Sequence, residues 1–141
     1  MRHILIIFSI FLFSFISISC TSSSSSSSTT STDNTTTTGL FVTVGQSGTI
    51  LTSPDGTTWT SGTSGTTNYL NGVTYGNNTF VTVGNSGTFL TSPDGNSWTK
   101  RTSVTSKSLD GVTYGNGLFV TVGYWGSSGI IFTSPDGITW T

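Results

Sequence analysis

The stretch Ser53-Pro54-Asp55-Gly56-Thr57-Thr58-Trp59 returns as a near copy at Ser92 to Trp98 and again at Ser134 to Trp140. The copies use every proline of the chain, three of its four tryptophans and three of its five acidic residues. A pattern that consumes the rarest residues is not a by-product of composition. A chain repeated in this way folds as copies of one supersecondary unit, each burying its apolar surface against the next. Phe41, Phe80 and Phe119 lie 39 residues apart in both steps, as do Asp55 and Asp94, whereas Asp94 and Asp136 are 42 apart. The extra residues fall where Gly84-Asn85-Ser86-Gly87 has become Gly123-Tyr124-Trp125-Gly126-Ser127-Ser128-Gly129.

Each full unit reads as four short strands. In the second these are Leu70 to Tyr75, Thr79 to Val83, Thr88 to Thr91 and Ser97 to Arg101, separated by Gly, Asn and Asp-Gly turns. Such spacing implies an antiparallel meander. Charged residues make up only 6% of the chain, Glu is absent, and Gly, Ser, Thr and Asn dominate, which suits strands and turns rather than helices. Side chains alternate between the faces of a strand, so Phe80 falls on one face and Val81 and Val83 on the other, and Phe119 against Val120 and Val122 repeats this. A small sheet apolar on both sides needs a neighbour on each side. That is the radial stacking of propeller blades, and a 39-residue unit is about the size of one blade; a β-solenoid has shorter rungs. The expected fold is all-β: four-stranded antiparallel blade repeats, propeller-like, with about three blades at 39–68, 69–107 and 108–141.

The repeated motif falls at the hairpin between the third and fourth strands. Pro presets φ, the Asp carboxylate can accept from backbone N–H groups ahead of it, and Gly takes the positive φ that closes the turn. Trp then starts the last strand and packs on the sheet. Ser53, Asp55, Gly56 and Trp59, Ser92, Asp94, Gly95 and Trp98, and Ser134, Asp136, Gly137 and Trp140 are therefore structural turn residues. The motif resembles the Asp-box, or bacterial neuraminidase repeat, with its Ser-x-Asp-x-Gly-x-x-Trp pattern. In that family the box is a structural hairpin of a β-propeller, remote from the active site. The resemblance covers Gly39 to Thr141, and it extends to the sialidase-like propellers of photosystem assembly factors and to bacterial surface repeats. It implies a fold and not an activity.

The chain opens on a short basic start, Met1-Arg2-His3, and Ile4 to Ile18 is a run of Ile, Leu and Phe broken only by Ser. That run is shorter than the roughly 20 residues of a membrane helix and ends in Ser17-Ile18-Ser19 before the only cysteine, Cys20. It resembles a bacterial lipoprotein signal peptide, which implies cleavage of residues 1–19 and a lipidated Cys20 as the first mature residue. Ordinary secretion with a free cysteine, or an uncleaved anchor, are the alternatives. A lone cysteine excludes an internal disulfide. Thr21 to Thr38 is Ser and Thr apart from Asp33 and Asn34. With nothing apolar to bury, 20–38 reads as a disordered tether holding the repeats on the order of 23 Å from the lipid.

Catalytic chemistry finds no support. A sialidase needs three arginines, a Tyr and Glu pair and an acidic acid/base, but the expected mature chain has only Arg101 and no Glu. Its one histidine, His3, lies in the signal segment and leaves no imidazole to activate a serine. The box aspartates sit in different blades, too far apart to act as a carboxylate pair. No metal or cofactor is expected. Lys100, Arg101 and Lys107 are too few for a nucleic-acid groove; lysines near an outer strand discourage edge pairing instead. Tyr124 and Trp125 in the insertion are either covers for the end of the last blade or exposed platforms for a sugar or protein partner.

The first repeat has no counterpart of the innermost strand, because Ser31, Asn34 and Thr36 stand where the second has Leu70, Val73 and Tyr75. About three blades do not close a propeller. A truncated product, self-association that completes the ring, and an open stack are the readings this leaves. The functional expectation is a non-enzymatic, exported, membrane-anchored lipoprotein at the outer membrane, periplasm or cell surface, displaying the module for protein or glycan binding. An envelope scaffolding factor and a degenerate, inactive glycoside-hydrolase relative are the alternatives.

Overall fold

A computed structural model describes residues 18–20, by their backbone, and residues 39–141. The expected signal peptide over 1–17 and tether over 21–38 lie outside the described residues. The described chain is all-β, in three antiparallel sheets whose strands follow one another in sequence. The first sheet contains β1 (Ile18–Cys20), β2 (Phe41–Val44), β3 (Ile50–Ser53) and β4 (Thr60–Ser61). The second contains β5 (Leu70–Gly76), β6 (Thr79–Gly84), β7 (Thr88–Ser92) and β8 (Thr99–Lys100). The third contains β9 (Leu109–Gly115), β10 (Leu118–Trp125) and β11 (Ser128–Ser134), and Thr141 exchanges two backbone hydrogen bonds with Thr133 where the other sheets place their outermost strands.

β1 occupies the innermost place that the sequence left vacant. Ile18, Ser19 and Cys20 pair with Thr43, Val42 and Phe41, so a piece of the N-terminal segment joins the sheet. In the second and third sheets a β-bulge in the innermost strand turns a glycine carbonyl toward a buried threonine of the next strand, and Thr82 Oγ1 donates to Gly72 O and Thr121 Oγ1 to Gly111 O, both at 2.8 Å. The equivalent Thr43 Oγ1 is buried and has no partner among the described residues.

Register defines two faces on each sheet. Phe80 pairs with Ser92 and Thr82 with Leu90 on one, the Phe face; Val81 pairs with Thr91 and Val83 with Phe89 on the other, the Val face. The sheets stack Val face to Phe face. Val42, Val44 and Ile50 of the first pack with Leu70, Val73, Phe80 and Leu90 of the second. Val81, Val83 and Phe89 of the second pack with Leu109, Phe119 and Trp140 of the third. These side chains are buried, and at about 25 cal/mol per Å² of apolar surface the two junctions supply the main driving force for folding. No sheet closes on itself.

Because the strands alternate in direction, each sheet has two dissimilar ends. One carries the turns after the third strands and, in the second and third sheets, the hairpins between first and second strands, so all three repeated motifs sit there. The other carries the links between second and third strands and the starts of the innermost strands. In the first two sheets that link is one 3-10 turn, Gln46–Gly48 or Asn85–Gly87. In the third, β10 and β11 run on to Trp125 paired with Ser128, joined by a two-residue turn with Gly126 at φ +62°. The insertion therefore lengthens a hairpin instead of widening a loop.

Candidate functional site

The three motifs fold into locks built from the same Ser and Asp hydrogen bonds. In the second, the buried Ser92 Oγ donates to Asp94 Oδ1 at 2.9 Å and accepts from the backbone N–H groups of Asp94 and Gly95. Asp94 Oδ1 accepts in turn from the N–H groups of Asn96 and Ser97 at 2.9 and 2.8 Å. Ser53 with Asp55, and Ser134 with Asp136, repeat every one of these bonds. Gly56, Gly95 and Gly137 stand at φ +75°, +76° and +72°, a conformation that costs glycine little. Trp98 Nε1 donates to Gly95 O and Trp140 Nε1 to Gly137 O, folding each ring back on its own turn.

This geometry fixes the electrostatics of the aspartates. The N–H groups of Ser97 and then Asn96, followed by the Ser92 hydroxyl, stabilise the Asp94 carboxylate and pull its pKa from 3.8 to about 2. The N–H groups of Thr58 and Thr57 with Ser53 do the same for Asp55, and those of Thr139 and Ile138 for Asp136. A carboxylate stabilised in this way stays ionised near neutral pH and makes a poor general acid or base. Among the described residues no group of three or more His, Cys, Asp or Glu side chains is placed to hold a metal.

The opposite end of the stack is where the copies differ. Tyr124 and Trp125 stand on the lengthened hairpin and are 61% and 63% exposed. Lys107, from the linker between the second and third repeats, places its Nζ 4.1 Å from the Trp125 ring centroid, a cation–π contact that props the indole at the surface. Of the other two cations of the repeats, Lys100 is exposed on the edge strand β8, and Arg101 Nε donates to Thr91 Oγ1 at 2.8 Å.

Beside this hairpin lies a cleft of about 560 Å³ lined by Asn71, Asn85, Ser108, Asp110 and Tyr124. It opens between the second and third sheets. Asn71 Nδ2 donates to Asn85 Oδ1 at 2.9 Å and to Leu109 O at 2.8 Å, so the amides are held in place before any ligand arrives. Partial desolvation pushes the Asp110 carboxyl upward. Of these residues only Tyr124 is legible as a site candidate in the sequence. Asn71 and Asp110 occupy equivalent positions in the innermost strands, 39 residues apart, and that replacement of an amide by a carboxylate is the signal that was available. Cys20 lies in β1, paired through its backbone with Phe41.

No protein-family model matches the chain, and no curated protein sequence is significantly similar to it. No helix among the described residues is long and apolar enough to cross a membrane.

Proposed function

We propose that this chain is a non-enzymatic lipoprotein of the bacterial cell envelope, anchored through Cys20, whose propeller-like stack of Asp-box repeats displays a glycan-binding site. The observation that carries the site is the exposure of Tyr124 and Trp125 on the one hairpin that departs from the repeat. Aromatic rings stack on the C–H faces of a sugar, while fixed amides, a hydroxyl and a carboxylate pair with its hydroxyls. The cleft beside the hairpin offers that set in Asn85, Ser108 and Asp110, with Asn71 holding the Asn85 amide in place.

The anchor rests on the basic start, the apolar run and the position of Cys20. Cleavage before Cys20 removes Ile18 and Ser19, two of the three residues of β1. β1 then belongs to the precursor, and the mature first sheet presents β2 as an open edge. Acyl chains on Cys20 give the durable attachment that a single chain does not.

Two experiments test the reading. Wild-type protein and Trp125→Ala are compared for retention on immobilised bacterial-envelope and host oligosaccharides. Wild type is retained, and the variant loses retention at an unchanged unfolding temperature; equal retention, or none by either protein, contradicts the site. For the anchor, cells fed a labelled fatty acid incorporate it into wild type and not into Cys20→Ser. An unlabelled wild type contradicts lipidation.

A further inference from the structure

We propose that copies of this chain associate head to tail, the Phe face of one copy's first sheet packing on the Val face of the next copy's third sheet. The interface is the one the chain already builds twice within itself. At the internal junction of the second and third sheets, Trp140 of the later sheet lies on Phe89 of the earlier one, ring centroids 4.6 Å apart. Gly137 of the same turn approaches Val81 so closely that a Cβ added there would stand 2.7 Å from Val81 Cγ2. Gly95 meets Leu40 and Val42 of the first sheet in the same way.

The two outer faces carry the separated halves of that contact. On the third sheet, Ile131 and Val122 take the places of Phe89 and Val83 and are 67% and 45% exposed, where their equivalents are fully buried. On the first sheet, Trp59 takes the place of Trp140 and is 37% exposed, and a Cβ on Gly56 would meet only Phe41 of its own sheet. Phe41 and Leu51 beside them are half-buried. Superposing the internal step on these ends sets Trp59 of one copy on Ile131 of the next and Gly56 on Val120. Each half is complementary to the other and not to itself, so the contact is heterologous, and repeating it gives a ring or a filament according to whether its rotation closes. An apolar face in which repeat neighbours are buried elsewhere in the same fold marks an interaction surface.

The test uses full-length protein in a non-ionic detergent, with mass measured by sedimentation. Wild type sediments as a multiple of the monomer. Ile131→Asp and Trp59→Ser, each altering one exposed side chain on one face, are monomers with unchanged β-sheet circular dichroism. Mixed, they form a one-to-one dimer and nothing larger, because each retains the face the other has lost. A monomeric wild type overturns the proposal, as does a Trp59→Ser protein that assembles like wild type, the result expected of a symmetric contact through the third sheet alone.

Discussion

Phe89 and Ile131 hold the same place in successive copies of one repeat, yet Phe89 is sealed under Trp140 and Ile131 faces solvent. The residue types are alike; the difference is whether a further sheet lies on top. Val83 and Val122 make the same contrast. Stability in stacked repeats is therefore a property of junctions more than of sheets, since each sheet is too small to hold itself and each junction removes two apolar faces from water at once.

The sharpest way to break that comparison is to put a charge at equivalent positions. Val83→Asp buries a carboxylate with no partner in the junction and is expected to cost on the order of 4 kcal/mol or more, enough to abolish folding. Val122→Asp places the same charge in solvent and leaves a folded monomer. Yield of soluble protein and far-ultraviolet circular dichroism separate the two. Equal damage from both would mean that the third sheet is covered in a manner the repeat does not explain.

A second contrast lies in the threonines. Thr82→Val leaves Gly72 O without its donor and is expected to destabilise by about 1–2 kcal/mol in denaturant unfolding. Thr43→Val removes a buried hydroxyl that has no partner among the described residues, and is expected to be neutral or stabilising. A loss at Thr43 matching that at Thr82 would show that its hydroxyl has a partner beyond the described residues.

The smallest effect concerns the turn locks. A carboxylate whose folded pKa lies below its unfolded value contributes stability present above the unfolded pKa and lost as pH falls through the folded one. For Asp94 that window runs from 3.8 down to about 2. The unfolding temperature of wild type is expected to fall across it, and Asp94→Ala, already lower at neutral pH, to fall less steeply. Parallel curves would remove the turn carboxylate from the acid response.

Much of the fold is legible in the sequence because the repeat makes it so. The alternation at Phe80-Val81-Thr82-Val83 carries both faces of β6, and the Ser-Pro-Asp-Gly copies carry the hairpin after β7. The innermost strand of the first sheet is not legible. β1 joins Ile18, the last residue of the apolar run, to Ser19 and Cys20, and its pairing with β2 is a long-range choice that no local propensity records. The candidate site divides in the same way. Tyr124 and Trp125 announce themselves by interrupting the repeat, whereas Asn71, Asn85 and Asp110 look like ordinary strand and turn residues until stacking brings two sheets together at one end. The motifs, the most conspicuous residues in the chain, prove to be spent on their own turns.

The most direct test of the stack is the paired truncation of the two equivalent residues, measured by denaturant unfolding on the Trp59→Ser background so that association does not contribute. Phe89→Ala is expected to cost about 3–5 kcal/mol, as for a large side chain removed from a packed core, and Ile131→Ala to stay within about 0.5 kcal/mol of its parent. Similar losses at the two positions would contradict an arrangement in which Phe89 lies inside a junction and Ile131 on its open face.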